Sequence, residues 1–227
     1  MVVTGTAGFI GKKLKQRLES MGHSVIGWEP SVGSKGDVFS EFTESLGDTI
    51  PEAIFHVGAD SNTLAIDVNS VMSTNYYFTR ALMQWANGRQ VKVIYSSSAA
   101  CYGGESGLPE NLYAWSKFAG EDYVGLMGGV SLRYFNVYGP GENHKGEMAS
   151  FVYQAWKGWQ QGHTPMLFPL NPKRDFVHVD DVIMANIAAL DSFSELAGYY
   201  FEVGTGQARS FEDCLSIFDI PWSYTDE

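Results

Sequence analysis

The amino-acid sequence predicts an α/β protein, a doubly wound parallel sheet carrying a small cap, and three observations support that expectation. The apolar start Met1-Val2-Val3-Thr4-Gly5 reads as a strand that runs into a glycine-rich turn and then an amphipathic helix. From there to Phe135, short apolar runs of strand character alternate with segments of helical spacing, the order that builds a parallel sheet with helices on both faces. The 227 residues include 44% hydrophobic and 18% charged side chains, which suits one large domain, or one domain plus a small cap, around a sizeable core.

Each element has its own reason. Phe9 to Met21 places Ile10, Leu14, Leu18 and Met21 on one helical face. Ser24 to Trp28 reads as a strand ending at Glu29, and Pro30 with Gly33 breaks the chain before Gly36-Asp37-Val38, so the next crossover is expected to be very short. Ala53 to Val57 is a buried strand, Asn69 to Asn87 has one continuous helical spacing, and Val91 to Tyr95 is a further strand. After Ser96-Ser97-Ser98, Tyr113 to Leu126 reads as helix and Val130 to Phe135 as strand. From Gly139 the pattern loosens, with one helix expected around Ser150 to Gln161. The expected division is therefore a dinucleotide-binding domain at 1–138 and 173–206, and a small cap at 139–172 and 207–227.

Composition excludes several functions. A net charge of −11 repels nucleic-acid phosphates and anionic membrane surfaces. The apolar run Val182 to Leu190 is far short of the about 20 residues a membrane helix needs. The start has no basic segment followed by a long apolar one, so no export signal is expected and the location reads as cytoplasmic. Cys101 and Cys214 stand apart without a Cys-x-x-Cys pattern, which suits a reducing compartment and predicts no metal site.

Two constellations carry chemistry. Gly5, Gly8 and Gly11 form Gly-x-x-Gly-x-x-Gly between the first strand and the first helix, where small residues admit a dinucleotide pyrophosphate to the helix N-terminus. Glu29, at the end of the second strand, is placed to bind adenosine ribose hydroxyls and would repel a 2′-phosphate; Lys35 nearby would counter that, so NAD is favoured while NADP stays open. Tyr113 and Lys117 stand one helical turn apart, so an ammonium near a phenol would stabilise the phenolate. Ser98, at the end of a strand, would bond the substrate oxygen that Tyr113 deprotonates.

The order Thr4-Gly5-x-x-Gly8-Phe9-Ile10-Gly11, Ser96-Ser97-Ser98 and Tyr113-x-x-x-Lys117 resembles the extended short-chain dehydrogenase/reductase family, whose members often act on nucleotide-sugars. Ile54 to Ala59, Arg133 to Pro140, Arg174 to Val182 and Val203 to Gly206 match its landmarks, so the resemblance spans nearly the whole chain. His144 to Ser150 and Ser98 to Gly104 are similar to the family's heptose 6-epimerase branch. The resemblance implies a Rossmann-type fold in which Gly5, Gly8, Phe9, Ile10, Gly11, Glu29, Asp37, Val38, Tyr113 and Lys117 contact NAD or NADP. It further implies Tyr113 as acid/base, Lys117 as its partner, Ser98 as the substrate-hydroxyl partner and Lys145 as a second acid/base. Asn136 and Arg174 would face the sugar diphosphate.

The implied activity is NAD(P)-dependent epimerisation of a nucleotide-sugar by transient oxidation, with a homo-oligomer left open. A 4-epimerase, a reductase and a non-catalytic dinucleotide-binding protein are the alternatives. A 4,6-dehydratase is disfavoured because Ala99 and Ala100 follow Ser98, where such relatives carry an Asp-Glu pair. The segment from Ser98 to Tyr113 is shorter than in relatives, and Glu227 comes soon after Val203 to Gln207, where relatives continue into a substrate-covering region.

Overall fold

Strand β1 (Val2–Thr4) sits inside the larger of three sheets, flanked by β2 (Ile26–Trp28) on one side and β3 (Ala53–His56) on the other. Beyond β3 come β4 (Lys92–Ser98), β5 (Val130–Tyr134) and β9 (Tyr200–Val203), giving the order β2-β1-β3-β4-β5-β9. Every register from β2 to β5 is parallel. The chain leaves β1 in both directions, so a crevice opens beyond the carboxyl ends of β1 and β3, where ligands bind in open α/β sheets. The arrangement is the Rossmann-type fold expected from sequence. It is drawn from a computed structural model that describes residues 1–30, 38–104, 107–170 and 172–225.

The crossovers are α1 (Phe9–Ser20), α2 (Val38–Leu46), α3 (Val68–Met72), α4 (Phe78–Asn87) and α5 (Leu112–Leu126). Alternate strand residues face opposite ways. Val2, Ile54, Val93 and Tyr95 join Phe42 and Leu46 of α2, Phe78, Leu82, Met83 and Ala86 of α4 and Val124 of α5 in one buried cluster. Trp28 is its aromatic centre, stacked on Phe78 and edge-on to Phe42, both at 5.2 Å. Helix α1 buries Leu14 and Leu18 completely.

Three local readings change. Helix α2 begins directly at Val38, so the second crossover contains a nine-residue helix; only Phe42 and Leu46 are fully inside, too sparse a signal to stand out. The continuous helical spacing over Asn69 to Asn87 is divided by a π-turn at Ser73–Tyr77 between α3 and α4. Strand β4 extends through all three serines, because Ser96, Ser97 and Ser98 keep the ladder with Leu132, Arg133 and Tyr134.

The chain divides into two compact units. The first comprises Met1–Tyr134 and Ile183–Glu202, and the second Phe135–Val182 and Val203–Glu227. Residues 135–138, 173–182 and 203–206, assigned from sequence to the dinucleotide-binding domain, group with the second unit because β6 (Asn136–Tyr138), β8 (Lys173–His178) and β10 (Ala208–Ser210) pair with one another. That unit also holds α6 (Phe151–Gln160), β7 (Met166–Leu167), α9 (Phe211–Ile217) and β11 (Ser223–Tyr224), around a small core of Ala155, Leu167, Leu215 and Ile220. Helix α7 (Val179–Asp191) runs from the second unit into the first, where the short α8 (Phe193–Leu196) follows. Among the described residues, no helix is long and apolar enough to cross a membrane and no cluster of acidic, His or Cys side chains could hold a metal. Both cysteines are free and buried.

Candidate active site

The glycine-rich turn is built by backbone crowding. Gly5 has φ +75°, a left-handed conformation natural to glycine, and a Cβ on it would lie 2.6 Å from Gly58 Cα. A Cβ on Gly11 would lie 2.1 Å from the Gly5 carbonyl oxygen. The Gly8 amide donates to Gly5 O at 3.0 Å, and Gly8 starts α1 with no side-chain cap. Gly8 brings no side chain to the start of α1, so nothing from the N-cap residue stands between the helix N-terminus and the crevice, the arrangement that suits an anion.

A cavity of about 240 Å³ adjoins this turn, lined by Thr4, Gly5, Trp28, Glu29, Val38, Gly58 and Asp60 among others. Two close-packed backbones without side chains, an uncapped helix start and an acidic residue at the end of β2 fit a dinucleotide. Glu29 does more than sequence suggested, since its carboxylate also accepts the Ala7 amide and so ties β2 to the glycine turn. Asp37 lies outside the described residues. Gly58 was not among the residues picked from sequence, although the close approach to Gly5 is its contribution; it stood in the Ile54 to Ala59 landmark as the available signal.

Ser98, Tyr113 and Lys117 come together in the first unit. Ser98 ends β4, accepts the Ala100 amide at 3.1 Å and lies near enough to the Tyr113 hydroxyl to act on its titration. Asn111 caps α5 by accepting the Ala114 amide at 2.9 Å, which starts the helix just before Tyr113 and fixes Lys117 one turn on. Lys117 is 3% exposed; its Nζ donates to Ser96 O at 2.7 Å and lies 4.7 Å from the centre of the Tyr95 ring. Burial lowers the lysine to about 8.

Burial acts on the phenol as well. It raises Tyr113 above the ordinary phenol value, an effect partly opposed by the Ser98 hydroxyl, so Tyr113 rests as the neutral phenol at pH 7. The desolvated position outweighs any pull from the ammonium, whose charge is held at the Ser96 carbonyl.

The other two serines of β4 serve other elements. Ser96 Oγ meets Tyr134 OH at 2.9 Å, and Asn186 of α7 bonds the same hydroxyl at 2.7 Å. Ser97 Oγ lies 3.7 Å from Cys101 Sγ. Asn75, unmarked in the sequence reading, sits in the π-turn and is almost fully buried. Its side chain accepts the Asp60 amide at 2.8 Å and donates to Asp60 O at 2.9 Å and to Ser116 Oγ at 2.8 Å. An asparagine inside a helical pattern gives no local hint of this.

The second unit holds the remaining residues picked from sequence. Lys145 lies between two short 3-10 turns, half-buried, with Nζ 4.0 Å from Glu142 Oε2. Burial lowers its pKa and Glu142 opposes that shift. Glu142 is fully buried and accepts the Gly139 amide at 3.0 Å, the Ser150 amide at 2.6 Å and the Ser150 hydroxyl at 2.8 Å, which fixes the loop that carries Lys145. Asn136 and Arg174 are exposed. Asn136 Nδ2 donates to Asp175 O at 3.4 Å, and Arg174 donates to the Lys173 carbonyl at 2.9 Å. Asp175 accepts the Thr205 and Gly206 amides at 2.9 and 2.8 Å, joining two of the sequence landmarks.

The chain is similar to proteins of known structure. The Helicobacter pylori ADP-L-glycero-D-manno-heptose-6-epimerase structure is 31% identical with a TM-score of 0.86, over 98% of this chain and 84% of that one. The Thermotoga maritima UDP-glucose 4-epimerase with UDP-glucose is 25% identical with a TM-score of 0.84, over 99% and 84%. The fold alone is shared with the Thermus thermophilus UDP-glucose 4-epimerase in complex with NAD, at 23% identity and a TM-score of 0.79, over 99% and 84%. The model of one family matches residues 1–204, and on that match the chain belongs to the NAD-dependent epimerase/dehydratase family.

Proposed function

We propose that this protein is a nucleotide-sugar epimerase that uses NAD or NADP and interconverts the C6 epimers of an ADP-glyceromanno-heptose. The observation that carries the epimerase reading is the approach of Ser98, at the end of β4, to Tyr113, with a buried Lys117 one helical turn further along α5. Support for the heptose comes from the 31% identity to the H. pylori 6-epimerase and from the His144-Lys145-Gly146 segment. The 25% identity to a UDP-glucose 4-epimerase favours the second reading, a 4-epimerase.

The crevice beside Gly5, Glu29, Val38 and Gly58 would hold the dinucleotide, with Glu29 favouring NAD. When bound, the cofactor supplies the two-electron acceptor that later serves as donor. Ser98 Oγ orients the carbinol, and Tyr113 Oη takes the hydroxyl proton when one epimer is oxidised and returns it when that same epimer is re-formed. Lys117 holds positive charge beside α5, which favours the phenolate once the site is occupied. Asn136 and the guanidinium of Arg174 bind the diphosphate, the latter through paired donors. Inversion at an exocyclic carbon needs rotation about one bond, so the hydroxyls of the two epimers approach from different sides and a second base is required. Lys145 is that base; partial burial moves it toward the neutral form.

The test is a set of nuclear magnetic resonance time courses started from each pure ADP-heptose epimer. Tyr113→Phe and Lys145→Met should each interconvert them at least about 10²-fold more slowly, near 2.7 kcal/mol of barrier, while dinucleotide binding by calorimetry stays within a few fold. Full activity of Lys145→Met would make Lys145 a loop residue. Wild-type turnover of UDP-glucose and of neither heptose epimer would establish the 4-epimerase instead.

A further inference from the structure

Between the dinucleotide crevice and α5 lies a buried polar path that the epimerase reading leaves unused. His56, at the end of β3, is 1% exposed, with Nδ1 2.9 Å from Thr4 Oγ1 and Nε2 2.8 Å from Thr79 Oγ1. Thr79 Oγ1 donates to Asn75 O at 2.5 Å, so its lone pairs are what His56 Nε2 meets, and Nε2 must carry the proton. Nδ1 is then bare and accepts from the Thr4 hydroxyl. Thr4 Oγ1 in turn accepts the Gly58 amide at 3.0 Å. Every donor in this chain points the same way, from the crevice floor at Gly58 to the π-turn at Asn75. Burial, with the nearby Lys117 charge adding to it, holds His56 neutral down to about pH 3, so the tautomer persists at physiological pH. Beyond Asn75 the path continues through Nδ2 to Ser116 Oγ, which donates to Tyr113 O at 2.7 Å.

We propose that His56 is a positioning residue which, through Thr79, Asn75 and Ser116, fixes the first turn of α5 according to whether the dinucleotide crevice is filled. Both ends of the path are functional surfaces under the reading above: Thr4, Gly58 and Asp60 line the cavity, and Tyr113 carries the proton-transfer group. Asn75 grips Asp60 through both its backbone groups, so the cavity wall after β3 and α5 share one side chain. A ligand that orders Gly58 and Asp60 therefore orders the Tyr113 backbone without touching it. His56 also packs against Phe78 and Tyr95, at 5.2 and 5.5 Å between ring centres, but those contacts need no particular tautomer.

The inference rests on the dinucleotide reading of the crevice and not on the identity of the sugar. Its probe is ADP, which lacks the nicotinamide half. Hydrogen exchange is followed by mass spectrometry in peptides covering 112–117, with ADP binding measured separately by calorimetry. Saturating ADP should slow exchange there by about threefold or more in the wild type. Thr79→Val, which keeps the shape and removes the hydroxyl, should still bind ADP and lose that slowing, and Thr79→Ser should restore it. Ser116→Ala should lose it too, and decides the matter should Thr79→Val not fold. Slowing that survives in a folded variant, or wild-type ADP binding with no slowing at 112–117, would overturn the relay while leaving the cofactor reading intact. Absence of ADP binding to the wild type at millimolar concentration would overturn both.

Discussion

Replacing Lys117 with Met should make the protein more stable at pH 7 while removing the ammonium beside Tyr113. Lys117 is 3% exposed, and burial lowers it from 10.5 to about 8. That difference corresponds to roughly 3 kcal/mol by which the folded state disfavours the charged form relative to the unfolded chain. Met fills a similar volume without a charge. The variant loses the bond from Nζ to Ser96 O, about 1 kcal/mol, so the net gain at pH 7 is on the order of 2 kcal/mol. The unfolded chain keeps its proton up to about 10.5 and the folded protein releases it near 8. Between those values the unfolded state binds more protons, so wild-type stability rises with pH across this window. Below the folded value that contribution is absent. The advantage of Lys117→Met should therefore be full at pH 7 and shrink as pH rises to 10. Urea unfolding of both proteins at pH 7, 8.5 and 10 measures it, and the difference between them cancels the titration of other groups. A variant less stable than wild type at pH 7, or a gap identical at pH 7 and 10, would refute the reasoning.

Gly11→Ala places a methyl 2.1 Å from the Gly5 carbonyl, so the turn must shift; the expected cost is about 2 kcal/mol of stability with at least about tenfold weaker dinucleotide binding, and unchanged calorimetric affinity would show that the turn is not the binding element. Glu121→Gln breaks a buried pair in which Arg133 donates to Glu121 from Nε at 2.8 Å and from Nη2 at 2.5 Å. Arg133 is also stacked by Tyr200 at 3.8 Å and Tyr102 at 4.5 Å, so the residual charge has nowhere to move. A loss of about 3 kcal/mol in urea unfolding at pH 7 is expected, and a midpoint equal to wild type would show that the pair is dispensable.

Much of this molecule is legible in its sequence because the signals are local. Glycine spacing after a strand reports a backbone turn, and Tyr113 with Lys117 reports one helical face. What stayed hidden depends on contacts across long sequence separations. Gly58 matters because it abuts Gly5, 53 residues earlier in the chain. Asn75 matters because Ser116 and Asp60 surround it, and its own neighbours spell an ordinary helix. Tyr113 and Lys117 share a helical face that spacing reveals, but the burial that raises the Tyr113 pKa is one that no spacing reveals. The grouping of β6 with β8 and β10 likewise follows from strand pairing, which periodicity alone does not encode.

The end of β4 has a consequence for alignment. Three identical residues, Ser96, Ser97 and Ser98, meet three different partners: a tyrosine from β5, a cysteine just beyond the strand and the Tyr113 phenol. Hydropathy cannot tell one serine from the next, so a slide of β4 against its neighbours would go unnoticed by the run itself, though it would present the wrong hydroxyl and the wrong carbonyl to α5. The register has to be set upstream. Ile54↔Val93, Phe55↔Ile94 and His56↔Tyr95 do this on one side, and Ile94↔Val130 on the other. Val93, Ile94 and Tyr95 are all essentially excluded from solvent, and a one-residue slip would turn each toward the opposite helical layer. The placement of Ser98 is thus decided by three bulky residues that touch no reacting atom, and a search for determinants of fidelity in this enzyme class would do well to begin with them.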